Sequence, residues 1–87
     1  MKFSDRFVKS LKSLPPNRAK AAIRCLEKFL EQPALPSLKF RSFKGIDDIF
    51  IINSVHGDRI ILRKGEDGEF VAEDTGPHDN VYRRWDR

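Results

Sequence analysis

Apolar residues recur at steps of three and four along the first third of the chain. Phe3, Phe7, Leu11 and Leu14 follow this spacing with Val8 beside them, and Lys9, Lys12 and serines fill the other positions. Such spacing gathers the apolar set on one face of an amphipathic helix. The sequence "LPPN" interrupts it. Pro15 disfavours helical backbone at Leu14, while Pro16 fits the first turn of a new helix. Ala19, Ala22, Ile23, Leu26, Phe29 and Leu30 then make a second stripe, with Arg18, Lys20, Arg24, Glu27 and Lys28 elsewhere. Pro33 and Pro36 end it. The two segments predict an antiparallel helical hairpin.

The period then changes from helical to alternating. "LKFRSF" sets Leu38 and Phe40 against Lys39 and Arg41, and Lys44-Gly45 closes it. "DIFIINSV" is apolar on both faces, as suits a central strand covered on both sides. "HGD" predicts a hairpin turn, because Gly57 tolerates positive φ. "RIILRK" puts Arg59, Ile61 and Arg63 on one face and Ile60 and Leu62 on the other. After the turn "GEDG", "EFVAEDT" is the last strand, broken by Gly76-Pro77, and "HDNVYRRW" forms a short terminal helix. Residues 1–4 are an optional edge strand. The expected fold is α+β. A helical hairpin packs on one face of a twisted, mainly antiparallel sheet of about four strands, with the other face more open.

Length and composition narrow the class. The chain of 87 residues, read as one domain over 1–87, carries 39% hydrophobic residues and seven Phe, enough for a globular core. The lone Cys25 excludes an internal disulfide framework and cysteine zinc sites, points to a reducing intracellular setting, and reads as a small helix filler. No apolar run approaches the ~20 residues that span a bilayer. The N-terminus lacks the continuous apolar stretch of a signal peptide, so a cytoplasmic location is expected. Residues 1–45 hold 11 basic and 3 acidic side chains, a net of +8, and residues 46–87 hold 6 and 10, a net of −4. The basic half suits an anionic partner such as nucleic acid, and equally an ordinary solvated helix surface.

No phosphate-binding glycine loop, metal-spaced His/Cys set or Ser-His-Asp order is present. What remains is a basic strand surface and the tail "GPHDNVYRR". That combination suits phosphodiester chemistry, which needs a base for a ribose 2′-OH, cations for the phosphate, and an acid for the leaving 5′-oxygen. Arg59 and Arg63 suit charge stabilisation, because arginine does not usefully give up its proton. Histidine titrates near neutrality, which fits His78 for acid or base work. In a helix His78 and Tyr82 share one face at i and i+4, and Asp79 and Arg83 share another. The bland readings stand beside these. His78 is then a turn residue, Asp79 an N-cap with Arg83 as partner, and Tyr82 and Trp85 tail packing. Lys39, Arg41 and Lys44 read equally as phosphate contacts and as solvated edge charges.

The ordered set resembles the RelE/ParE superfamily of bacterial toxins from type II toxin–antitoxin systems over nearly the whole chain. "FSDRFVKSLKSLPPNRAKAAIRCLEKFLEQP" is similar to the family's helical hairpin with a central Leu-Pro. "LKFRSFKG" is like the segment leading into its sheet, and "DIFIINSVHGDRIIL" like the hairpin that ends in a strand-head Arg. "GPHDNVYRR" resembles its G-x-H-D-x-x-Y-R tail. In the RelE-like branch the resemblance implies mRNA cleavage by 2′-OH attack, typically in the ribosomal A site, without metal or cofactor. It also implies a cognate antitoxin that masks the site or displaces a mobile C-terminal helix. In the ParE-like branch it implies a non-nuclease toxin that binds DNA gyrase. A third outcome is an inert antitoxin-binding or RNA-binding module. Carried over by position, Arg59 matches the phosphate-stabilising Arg, His78 the catalytic His/Arg position, and Tyr82 the catalytic or stacking aromatic. Arg63, Lys39, Arg41, Lys44 and Arg83 are the candidate substrate contacts. The chain departs from the pattern before the hairpin, where many members carry an Arg and this one reads Ile51-Ile52-Asn53.

Overall fold

The computed structural model describes residues 1–85. Ser4 sets the start of the chain's packing. Its hydroxyl accepts the Phe7 N–H at 3.1 Å, capping helix α1 (Asp5–Lys12), and donates to the Glu73 carbonyl at 3.1 Å. A capping side chain satisfies one of the N–H groups that a helix start leaves open. Immediately before it, β1 (Lys2–Phe3) pairs in parallel with β5 (Phe70–Pro77). Phe3 therefore belongs to an edge strand and not to the α1 stripe, although its ring still meets Phe7 at 4.9 Å. Helix α2 (Pro16–Glu31) begins with proline in its first turn, as the sequence predicts.

Five strands form one sheet in the order β1-β5-β4-β3-β2, with β2 (Arg41–Ser42), β3 (Ile49–Asn53), β4 (Asp58–Lys64) and β5 antiparallel in sequence. Both helices cover one face. Phe7, Ala22, Cys25, Leu26 and Phe29 pack there with Ile52, Ile60, Leu62 and Ala72. Cys25 lies on this buried side of α2 and Leu30 does not, being 56% exposed. Ala22, Cys25, Leu26 and Phe29 follow the three-four spacing of one face, and Leu30 falls beyond it. Phe29, Phe40, Phe50 and Phe70 extend this core as an aromatic cluster with ring centroids 5.0–6.0 Å apart. Most of these contacts are tilted or edge-on, and Phe40 stacks on Phe50, arrangements that the ring quadrupoles favour.

Three local expectations are corrected. "LKFRSF" is not a continuous strand. Pro36–Leu38 make a 3₁₀ turn, Lys39 is left-handed at φ 47°, and only Arg41 and Ser42 pair with β3. The proline and the left-handed residue bend the chain before it can join the ladder. Gly76-Pro77 does not break β5, which runs through both residues opposite Arg59 and Asp58. β1 pairs with β5 only at Val71 and Ala72, so the proline at the far end of β5 removes no bond to that neighbour. The second sheet face is also less open than expected. Helix α3 (His78–Arg84) crosses it and buries Val81 against Phe43, Ile49, Ile51 and Ile61, with Tyr82 and Trp85 alongside. The two-sided apolar pattern of β3 has this origin.

Candidate functional site

The register decides which side chains join α3. Ile51 and Ile61 lie on its face, so their alternating neighbours Asn53 and Arg59 do too, and Arg41, opposite Ile51, joins them. Arg41 donates to Asn53 Oδ1 at 3.2 Å and to the Lys39 carbonyl. The Arg41 guanidinium of β2 is thereby held against Asn53 of β3. Arg59 stands opposite both Asn53 and Gly76. Its Nη1 donates to the Asp58 carbonyl at 3.0 Å, while its buried Nε has no hydrogen-bond partner among the described residues. A buried donor in this state favours an acceptor that reaches it.

The β4 start is fixed from behind. Arg18, in the first turns of α2, grips the fully buried Asp58 with two bonds of 2.9 and 2.5 Å. Its hydrogen bond to Asp58 raises the Arg18 pKa, against some loss of solvation. The sequence reading missed this pair. A carboxylate directly before the apolar run "RIIL" was the available signal.

On α3, His78 and Tyr82 come together as the helical spacing predicts, with rings stacked at 4.2 Å and 30°. Tyr82 also meets Phe43 at 5.1 Å, and the Lys44 ammonium lies 5.8 Å above the Tyr82 ring and 5.6 Å above Phe43. An ammonium at that distance is drawn to the ring face. Lys44 is left-handed at φ 51°, and Gly45 follows at φ 69°. The loop thereby turns Lys44 back toward the helix. His78 Nδ1 is 3.0 Å from Asp79 Oδ1. With the Nδ1 proton on that bond, Nε2 is the nitrogen left to accept a proton. Pro77, not Asp79, is the N-cap of α3, and Asp79 sits in its first turn. Arg83 donates to Asn80 Oδ1 at 3.1 Å and is not the partner of Asp79.

The remaining candidates lie apart. Arg63 pairs with Ile49 and Val71 at the far end of β4, about 13 Å from Arg59 at the usual strand rise. Its guanidinium is engaged by Glu73 at 2.5 Å. Lys39 is on the loop before β2. Among the described residues no cluster of three or more His, Cys, Asp or Glu side chains is arranged to hold a metal ion, and no helix is long and apolar enough to cross a membrane.

A helical hairpin on one sheet face and a short terminal helix on the other is the layout of the RelE-like toxin fold. The chain superposes on the RelB–RelE antitoxin–toxin complex from Methanococcus jannaschii with a TM-score of 0.75, over 98% of this chain and 99% of that one, at 21% identity. The free mutant form of the E. coli toxin RelE gives 0.71 over 94% and 87%, at 19% identity. The E. coli DinJ–YafQ complex gives 0.70 over 93% and 94%, at 16% identity. No family model matches the chain, and neither does any curated protein. The fold is RelE-like over nearly its full length.

Proposed function

We propose that this protein is the toxin of a type II toxin–antitoxin pair and acts as a metal-independent mRNA endoribonuclease on the ribosome. The observation that carries the reading is the stacked His78–Tyr82 pair beneath the Lys44 ammonium, on the sheet face that bears Arg59 and Arg41. In the proposed reaction His78 Nε2 takes the 2′-OH proton, and the freed oxygen attacks the adjacent phosphorus. The bond to the 5′-oxygen breaks, and a proton returns to that leaving oxygen. A 2′,3′-cyclic phosphate and a 5′-hydroxyl result. Histidine serves either proton transfer near neutral pH. The Arg59 Nε, without a partner among the described residues, is a donor for a phosphate oxygen, and Arg41 and Lys44 add positive charge where negative charge builds. Tyr82 offers its exposed flank to a base. Arg63, Lys39 and Arg83 are assigned more distant phosphate contacts. A cognate antitoxin is the partner this fold suggests, since the similar RelB–RelE structure is an antitoxin–toxin complex.

The test is expression of the chain in bacteria with mapping of mRNA ends. Growth arrest with cleaved mRNA, lost in His78→Ala, is expected. Arrest with intact mRNA and a DNA-damage response would replace the nuclease with a gyrase-binding toxin. Absence of arrest would leave an inert binding module.

A further inference from the structure

Asp74 is an acid in the middle of β5, and it is fully buried. Its carboxylate collects donors from three elements. Ser10 of α1 donates to Oδ1 at 2.6 Å, the Thr75 N–H to Oδ1 at 2.9 Å, and Arg84 Nη2 to Oδ1 at 3.1 Å. Arg84 Nε and Trp85 Nε1 reach Oδ2 at 2.9 and 2.8 Å. Arg84 also donates to the Thr75 carbonyl at 3.1 Å. Gly76, at φ 150°, makes room for this, because a Cβ there would stand 3.2 Å from Arg84 Nη2. The Arg6 guanidinium covers Trp85 at 5.2 Å. A bulge brings Asp74 to this point. Ile61 pairs with Asp74 and Leu62 with Ala72, so Glu73 is the extra residue and the strand kinks.

Helix α3 has only seven residues, and its Pro77 N-cap makes no side-chain capping bond. Isolated helices below ~12–15 residues are marginal in water, so α3 takes its order from what holds it down. Val81 faces the sheet. Arg84, one turn on, lies to the side of α1, and Tyr82 lies to the side of Phe43. Fixing Arg84 therefore fixes the rotation of the whole helix about its axis.

We infer that Asp74 is a positioning residue that, through Arg84 and Trp85, clamps α3 in the rotation that stacks His78 on Tyr82, over the sheet face that bears Arg59. This rests on the nuclease reading for its consequence but not for its geometry. Asp74 touches none of the proposed reacting groups. It acts by holding the element that carries two of them, and small displacements of positioned groups are costly in rate.

The decisive variant is Arg84→Met, which removes the charged part of the clamp from the helix side while Trp85 keeps its bond to Asp74. Three quantities are read: amide exchange along α3, NMR ring-current shifts of the His78 and Tyr82 side chains, and cleavage kinetics. Protection of the Val81–Trp85 amides is expected to fall by about tenfold or more while β3 and β4 amides keep theirs. The ring-current shifts are expected to collapse. The kcat is expected to fall by about 10²-fold with KM within about twofold. Arg84→Lys, able to reach one carboxylate oxygen, is expected to recover part of each. Asp74→Asn should reproduce the loss, and if it fails to fold the Arg84 variants decide alone. Unchanged α3 protection in Arg84→Met would overturn the inference. So would lost protection with the His78–Tyr82 stack, or the rate, intact. If the wild type cleaves no mRNA, the nuclease reading fails separately, and exchange and ring shifts still judge the clamp.

Discussion

The two faces of the sheet are built by opposite rules. Beneath α1 and α2 the contacts are mainly apolar, from Phe7 and Phe29 to Ile52, Ile60 and Leu62, with an aromatic cluster at the rim and the Arg18–Asp58 pair at the start of β4. Beneath α3 only the centre is apolar, at Val81, Ile51 and Ile61, and the surrounding positions hold Arg41, Asn53, Arg59, His78 and the buried Asp74. One face supplies the burial energy, and the other spends its surface on polar groups that must be held by directed bonds. The difference explains how a small domain carries a candidate site. Two helices and one sheet face stabilise the scaffold, and the third helix is free to display chemistry.

The comparison can be broken in four ways. The largest expected effect is chemical and belongs to the α3 face. His78→Ala should lower the cleavage rate by about 10²- to 10⁴-fold, measured on translated mRNA, with the melting temperature nearly unchanged. Next comes the opposite face. Phe29→Ala should cost about 3–5 kcal/mol of stability by denaturant titration, while the His78–Tyr82 ring-current shifts persist in the folded fraction. A rate loss without a stability loss in Phe29→Ala would show that the faces are not separate.

Acid should distinguish the faces more gently. Burial pushes the Asp74 carboxyl up, but the hydrogen bonds from Arg84, Ser10 and Trp85 and the Arg84 charge together hold it below its ordinary value. A carboxyl lowered by folding stabilises the native state fully above its unfolded value, about 3.9, and that contribution is lost as pH falls through the folded value. Stability should therefore decline below about pH 4 and be insensitive to Asp74 between pH 5.5 and 8. Under the proposed reaction cleavage should depend on pH in that upper range, and a flat profile there would remove His78 as acid or base. The smallest effect is expected from Tyr82→Leu, which removes ring contacts to His78 and Phe43 and should cost about 0.5–1.5 kcal/mol. A much larger loss would mean that α3 carries more of the fold than its length suggests.

Much of the architecture was legible in the residues. The helical hairpin follows from the three-four spacing on either side of "LPPN", and the two-sided apolar run "IFII" marks β3 as a strand with cover above and below. The stack of His78 on Tyr82 follows from their separation alone, once the tail is helical. The misjudged places share a cause. Lys39 in a left-handed turn, Gly76-Pro77 inside β5, and Pro77 rather than Asp79 as the α3 cap all depend on what the neighbouring strand demands.

The sequence by itself determined the elements, because periodicity and proline punctuation act within a few residues. It also determined which residue types could do phosphate chemistry. Only the tertiary structure decided which of them meet. Register placed Arg59 opposite Gly76 under α3 and left Arg63 about 13 Å away beside Glu73. A bulge at Glu73 turned Asp74 inward to receive Ser10, Arg84 and Trp85, residues separated from it by up to 64 positions. Cross-strand pairing and burial are properties of the folded ladder, and no local pattern fixes them.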